Sequence, residues 1–230
     1  NGSLFIEVLK RFSTSTFVTI NSDLGYDSQK RDGKSDLFSS NSQLTFNTQF
    51  SSFRVRLGSH LFYDNKDKET VFWPNTYLGY SLMEDHIQLF AGSQLEVRRN
   101  SLRGMSTLNP YINGNENDLS NSLKKEYFLG LKGQFYFLGY EFKIADAKLD
   151  NYAFFINDFS DNRFFNVIFD NIRQKYLNGS LDFAIHDNLE LGGKISYSKF
   201  ESEALTDVVN LPELEMTLHA EIFFLNKKLS

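Results

Sequence analysis

The 230-residue sequence has no cysteine and only three prolines, three methionines and one tryptophan. Without thiols it builds no disulfide scaffold, iron–sulfur site or cysteine-based zinc site. It lacks any apolar run near the ~20 residues of a spanning helix, so a helical membrane segment is excluded. It also lacks a basic surplus: 24 Lys+Arg stand against 29 Asp+Glu, a net charge of −5, which argues against a nucleic-acid partner. Histidine is scarce, and His60, His86, His186 and His219 show no metal-ligand spacing; no metal and no cofactor is expected. Aromatics, by contrast, are abundant. With 24 Phe and 11 Tyr they reach 16%, too rich for a disordered chain. A spanning β-strand stays open, because it needs only ~9–11 residues and alternate ones can be polar.

With a period of two, most of the chain sorts into two faces. Leu44, Phe46, Thr48 and Phe50 oppose Gln43, Thr45, Asn47 and Gln49. Ile87, Leu89, Ala91, Leu95 and Val97 oppose His86, Gln88, Gln94, Glu96 and Arg98. Leu177, Leu181, Phe183 and Ile185 oppose Asn178, Ser180, Asp182 and His186. Over 213–224, Leu214, Met216, Leu218, Ala220, Ile222 and Phe224 oppose Glu213, Glu215, Thr217, His219 and Glu221. A helical period scatters these positions, and the Phe, Tyr, Val and Ile content favours strands. The fold class is all-β.

The joins alternate in length. Short ones fall near Ser13–Ser15, Ser51–Ser52, Met83–Asp85, Gln134–Phe137 and His186–Asn188. Long polar stretches lie between them, near Tyr26–Ser42, Asp64–Thr70, Arg99–Ser122, Asp146–Arg163 and Glu201–Asn210. A soluble sandwich has no reason to lengthen every second join; an outer-membrane barrel has short periplasmic turns and long outer loops. Segments such as Leu123–Gln134 and Leu189–Phe200 exceed the usual ~5–6 residues of soluble strands. Aromatics such as Tyr63, Trp73, Tyr80, Phe137, Tyr140 and Tyr197 sit near strand ends, where a barrel in lipid carries its girdles. The expected fold is an antiparallel up-and-down transmembrane β-barrel, or a large arc of one. The alternative is a soluble sandwich, whose core the same apolar faces would suit.

About eleven strands are expected, with one spanning 73–83. If the short joins share one side, the first and last strands both run toward it, so the sheet does not close antiparallel on itself. Single-chain bacterial barrels have an even number of strands. Neither an initiator Met nor a signal peptide stands at Asn1, and the chain ends on Lys227-Lys228-Leu229-Ser230 without a terminal aromatic. The expectation is one barrel domain, 1–230, that is a fragment of a larger barrel. Two strands or one long strand with a loop over Tyr152–Phe169 would change the count.

A family resemblance rests on the centre of the chain. Phe72-Trp73-Pro74-Asn75-Thr76-Tyr77-Leu78-Gly79-Tyr80-Ser81-Leu82 is followed by Leu89-Phe90-Ala91-Gly92, by Asn109-Pro110-Tyr111, and by Lys125-Glu126-Tyr127-Phe128-Leu129-Gly130-Leu131-Lys132-Gly133. This succession resembles Bacteroidota outer-membrane barrels of the TonB-dependent-receptor-like type. It covers residues near 72–133, and neither a plug domain nor an energy-coupling box accompanies it. The resemblance implies an outer-membrane barrel in a Gram-negative cell.

No catalytic set is visible, and no enzyme is expected. The glycines lack phosphate-cradling spacing. Asp85 with His86 and His186 with Asp187 lie in short turns, where neighbouring side chains diverge. Asn113–Asp118 carries calcium-type oxygens without EF-hand spacing. The polar faces say more. Arg54, Arg56, His60, Gln88, Glu96, Arg98, Glu126, Lys132, Glu141, Lys143, Lys194, Glu215 and Glu221 must face inward in a membrane barrel, since charge at the lipid midplane costs ~2–4 kcal/mol. They are the lumen-facing candidates. The lumen either passes or binds a small hydrophilic solute, in a porin- or receptor-like role, or is filled by charge pairs in a non-conducting structural barrel subunit. A soluble carbohydrate-binding β-sandwich comes third. Expected partners are the lipid bilayer, a small hydrophilic solute, and other outer-membrane or periplasmic proteins.

Overall fold

The computed structural model describes residues 2–27, 37–66, 68–83, 86–113, 119–158, 163–186, 188–202 and 211–222. They form one antiparallel sheet of twelve strands with one short helix. The strands are β1 (Gly2–Arg11), β2 (Thr16–Asp27), β3 (Leu37–Phe50), β4 (Phe53–Asp64), β5 (Glu69–Pro74), β6 (Thr76–Leu82) and β7 (Ile87–Arg98). After the helix α1 (Leu102–Leu108) come β8 (Ser122–Phe135), β9 (Leu138–Asn157), β10 (Phe165–His186), β11 (Leu189–Ser202) and β12 (Leu214–Ile222). Each strand pairs with its sequence neighbour, except that β5 and β6 both pair with β4. Their registers are continuous, Ser59 opposite Pro74 and Arg56 opposite Tyr77, with the Asn75 amide donating to the Gly58 carbonyl between them. They are one pass interrupted beside a proline, which has no ladder donor to give. The expected eleven passes are therefore present, the broken one starting at Glu69 instead of Trp73.

An odd number of antiparallel passes leaves β1 and β12 running in the same direction at the two ends of the sheet, unpaired with each other among the described residues. The joins expected to be short fall at one end of the strands, where Ser51, Met83 and Tyr136 take positive φ, at 50°, 50° and 48°. At the other end the expected long stretch Asp64–Thr70 shrinks to a β4–β5 join of 65–68, no longer than the β1–β2 join.

Three further expectations need correction. Asp146–Arg163 is not a loop over its first half, because β9 continues to Asn157 through a bulge at Asn151, φ 54°. Tyr26–Ser42 loses its second end to β3, which begins at Leu37. The stretch from Arg99 to Ser122 holds α1, capped by Ser101, whose side chain accepts from the Gly104 amide at 3.1 Å. Met105, Ile112, Leu119 and Val167 bury together beneath it.

Pairing register carries side-chain parity from strand to strand. On one face stand Leu44, Phe46, Leu57, Leu61, Leu78, Leu89, Leu129, Ile144, Leu177, Ile195 and Leu218, most of them exposed. Phe50, Phe53 and Tyr80 border this belt at the short-turn end, their rings in succession at 5.5 and 4.7 Å. Tyr26, Phe38, Tyr63, Tyr127 and Tyr197 border it at the other. The opposite face carries the charged and amide side chains, with an apolar cluster of Ala145, Ala147, Leu149, Ile172 and Tyr176 buried on it toward the long-loop end of β9 and β10.

The sheet overlaps itself in one place. Leu95 and Leu123 belong to the apolar face of β7 and β8, yet they bury against Phe62 and Val71 from the polar face of β4 and β5. The long-loop ends of β7 and β8 therefore lie inside the β4–β5 ladder. Leu95 faces protein rather than open surface, at 6% exposure.

Candidate functional site

All thirteen expected lumen residues share the polar face. The register runs from Arg54, Arg56 and His60 through Gly79 and Tyr77 to Gln88, Glu96 and Arg98. It continues to Glu126 and Lys132, then to Glu141 and Lys143, and on through Asn178 and Ser180 to Lys194, Glu215 and Glu221. This face curves around space. One recess of about 540 Å³ is lined from the β1–β2 turn, β3, β4, β8 and β9 together, strands far apart in the ladder.

Arg54, Arg56, Lys132, Glu141 and Lys143 line that recess with Tyr77, Phe90 and Phe128. Lys143 is paired with the buried Glu126, and the remaining Arg54, Arg56 and Lys132 against Glu141 make the recess electropositive. Asn47 accepts from Arg56 Nε at 3.0 Å and orients its guanidinium. Lys132 lies over the Phe90 ring and Lys143 over Phe128, at 5.5 and 4.7 Å, cation–π placements that leave the ammonium groups at the recess wall. Gly130 makes room for this: a Cβ there would lie 2.3 Å from the Phe142 carbonyl and 2.5 Å from the Phe90 ring.

Glu126 is the centre of the polar wall. It is 1% exposed and accepts from Lys143 Nζ at 2.5 Å, Tyr176 Oη at 2.7 Å and Gln94 Nε2 at 3.3 Å. Lys124 Nζ lies 3.0 Å from its second oxygen. Tyr176 reaches it from β10, across the whole width of β9. The reach exists because β9 presents only Ala145 and Ala147 there, both buried. A buried carboxylate with this many donors is held in place rather than offered to solute.

The other candidates are dispersed. Lys194 and Glu215 share a second recess of about 440 Å³ with Glu141, Lys143, Asn178 and Thr217. His60 and Gln88 are buried: His60 Nε2 pairs with Asn41 Oδ1 under the overlapping β7, so neither belongs to an open wall. Glu96 and Arg98 are exposed toward the long-loop end, and Glu221 sits opposite Glu190 at the short-turn end. The structure thus gathers five of the thirteen around one recess and two around a neighbouring one that shares Glu141 and Lys143.

One polar link is not foreseeable from sequence. Arg99, just past β7, donates from Nη1 to Asp23 Oδ2 at 2.9 Å, from Nη2 to the Asp23 carbonyl at 2.9 Å and from Nε to Ser39 Oγ at 3.0 Å. It ties the loop over the polar face of β2 and β3. Asn121 Nδ2 donates to the buried Asp64 at 2.5 Å, extending the tie to β4. His86 pairs through Nδ1 with the Gln134 carbonyl at 2.8 Å and stacks on Phe135. Asp85 and Asp187, and the 114–118 part of the calcium-type stretch, lie outside the described residues. No cluster of three metal-ligating side chains occurs among the described residues.

No protein family matches the chain, and no curated protein does. Solved structures do. The ferripyoverdine receptor of the outer membrane of Pseudomonas aeruginosa, bound to ferripyoverdine, aligns over 96% of this chain at 12% identity with a TM-score of 0.59. The siderophore receptor PirA from Pseudomonas aeruginosa aligns over 87% at 13% identity, TM-score 0.58. The FrpB iron transporter from Neisseria meningitidis aligns over 87% at 10% identity, TM-score 0.54. The chain spans 35%, 39% and 35% of their respective lengths. At such identities the likeness concerns fold: the chain has the antiparallel barrel-wall architecture of outer-membrane receptors, as an open sheet.

Proposed function

We propose that this chain is the wall of an outer-membrane barrel that binds or passes a small hydrophilic solute of net negative charge. One observation carries the proposal: a single sheet with every expected polar residue on one face and an apolar belt between two aromatic borders on the other. From Phe53 to Tyr63 the strand climbs about 33 Å, or about 25 Å along the barrel axis at a tilt of ~40°, which fits the apolar band of outer-membrane barrels. The likeness to the siderophore receptor PirA and the FrpB iron transporter supports a receptor-like role over a general pore. The surplus of Arg54, Arg56 and Lys132 over Glu141 favours an anion. In this proposal further strands join β1 to β12 and close the barrel, and the cell is Gram-negative; the sequence resemblance points to Bacteroidota.

The test is binding and conductance of the protein reconstituted in phosphatidylcholine bilayers. Anionic test solutes are expected to bind or permeate in preference to cationic ones of equal size. Arg54→Ala with Arg56→Ala is expected to abolish that preference while leaving insertion unchanged. Insertion with no solute binding and no conductance at any voltage would favour the non-conducting structural subunit. That second reading has its own support, because Glu126, its lysines and Tyr176 fill part of the interior.

A further inference from the structure

On β8 to β11 the outward face carries charge directly above its apolar belt. The register sets Leu129, Ile144, Leu177 and Tyr197 in one row across the four strands, with Tyr127, Asp146, Lys175 and Lys199 in the next. Lys125, Lys148, Arg173 and Glu201 form the row beyond. On β1 to β4 the corresponding positions are uncharged: Leu24 and Tyr26, Phe38 and Ser40, Leu61 and Tyr63.

Two of the three carboxylates of this patch, Asp146 and Asp150, are engaged in ion pairs, and the third, Glu201, stands opposite Arg173. Arg173 Nη2 holds Asp146 Oδ2 at 2.6 Å and Nε holds Oδ1 at 3.1 Å. Lys125 holds Asp150 at 2.6 Å, with Lys148 at 3.3 Å. Lys175 and Lys199 stand directly opposite each other, both exposed, and neither forms an ion pair among the described residues. Like charges opposed across a ladder repel; Asp146 stands opposite Lys175 on its other side, but Arg173 holds both its oxygens, so the lysine pair has room for a further anion. A groove of about 470 Å³ runs beneath it, lined by Leu129, Ile144 and Leu177, with Tyr127 and Tyr197 alongside and the Arg173-bound Asp146 at its edge.

We propose that this groove binds one phosphorylated lipid of the leaflet on the long-loop side. The lipid phosphate sits between Lys175 and Lys199, and an acyl chain lies along Leu129, Ile144 and Leu177. Lysine suits this role, because its stem packs on apolar surface while the ammonium stays at headgroup level. The inference rests on the barrel reading, in that it needs the apolar face to meet lipid.

The experiment reconstitutes the protein in phosphatidylcholine nanodiscs with and without added lipid A, and measures co-purifying lipid by native mass spectrometry. Retention of lipid A over phosphatidylcholine is expected. Lys175→Gln with Lys199→Gln is expected to lower that retention roughly tenfold or more, and Lys175→Arg with Lys199→Arg to keep it. Lys10→Gln, which removes the same kind of charge from the other border of the belt on β1, is expected to change nothing. Equal retention in wild type and the double Gln variant, or equal loss in Lys10→Gln, overturns the site. Displacement of the lipid by free inorganic phosphate also overturns it, since the apolar floor would then contribute nothing. Failure to enter neutral phosphatidylcholine bilayers overturns the barrel reading and this site with it, whereas entry without lipid preference overturns the site alone.

Discussion

Glu126 shows how one buried charge organises a polar wall. It takes Lys143, Lys124, Tyr176 and Gln94 as partners and has almost no contact with solvent. Removing one partner of a buried ion pair leaves the other charge uncompensated. Glu126→Gln is therefore expected to lower stability by about 3 kcal/mol, read from urea titrations in phosphatidylcholine vesicles. Lys143→Met added to Glu126→Gln should recover part of that loss; a double variant that is worse by the full sum of the single losses would mean the two groups are not coupled. Ser51 offers the opposite sign. Its φ of 50° sits in the left-handed region, which costs an L-residue roughly 1–2 kcal/mol and glycine little. Ser51→Gly is expected to raise the urea midpoint, by an amount equivalent to about 1 kcal/mol.

Along β11 the period of two separates neighbours into different surroundings. Ile195 is on the apolar face, exposed, and Ser196 on the polar face opposite Glu215. Ile195→Arg is expected to destabilise the vesicle-inserted protein by about 2 kcal/mol, while Ser196→Arg one residue away is tolerated. Equal losses at the two positions would mean that this strand does not separate lipid from lumen. The same parity predicts labelling along β12: single cysteines at Leu214, Met216, Leu218, Ala220 and Ile222 should be quenched by lipid-borne quenchers, and those at Glu215, Thr217, His219 and Glu221 by aqueous ones. The absence of native cysteine makes this scan clean.

Among the described residues the molecule is an open sheet held in its curve partly by contacts between distant strands. Arg99 links the end of β7 to Asp23 and Ser39 on β2 and β3, with Asp23 and Arg99 side chains 35% and 28% exposed. Such a partly exposed pair is worth up to about 1 kcal/mol. Arg99→Ala is expected to raise amide exchange in β2 and β3 about fivefold while sparing β9 and β10. A uniform rise across the sheet would show that the loop does not act locally.

Much of this architecture was already present in the order of residues. Side-chain alternation is a property of the extended backbone itself, so Leu44 against Gln43, or Leu214 against Glu215, declares its face without knowledge of any partner. Short turns at Ser51–Ser52 and Tyr136–Phe137 likewise depend on adjacent residues alone. The helix in the Arg99–Ser122 stretch left only a weak mark, Ser101 ahead of a short run with no glutamate to complete a capping box. Other features depend on register and on closure across many residues, and neither is local. Phe62 and Leu95 have opposite parities in the sheet, and they meet because the ends of β7 and β8 pass inside β4 and β5. Tyr176 reaches Glu126 because the strand between them happens to carry alanines at that level. Lys175 confronts Lys199 because one pairing register sets them level. Alternation along a strand assigns each side chain a face, but its neighbours on that face are set by how the strands are placed beside one another, and that placement is decided by packing between residues far apart in the chain.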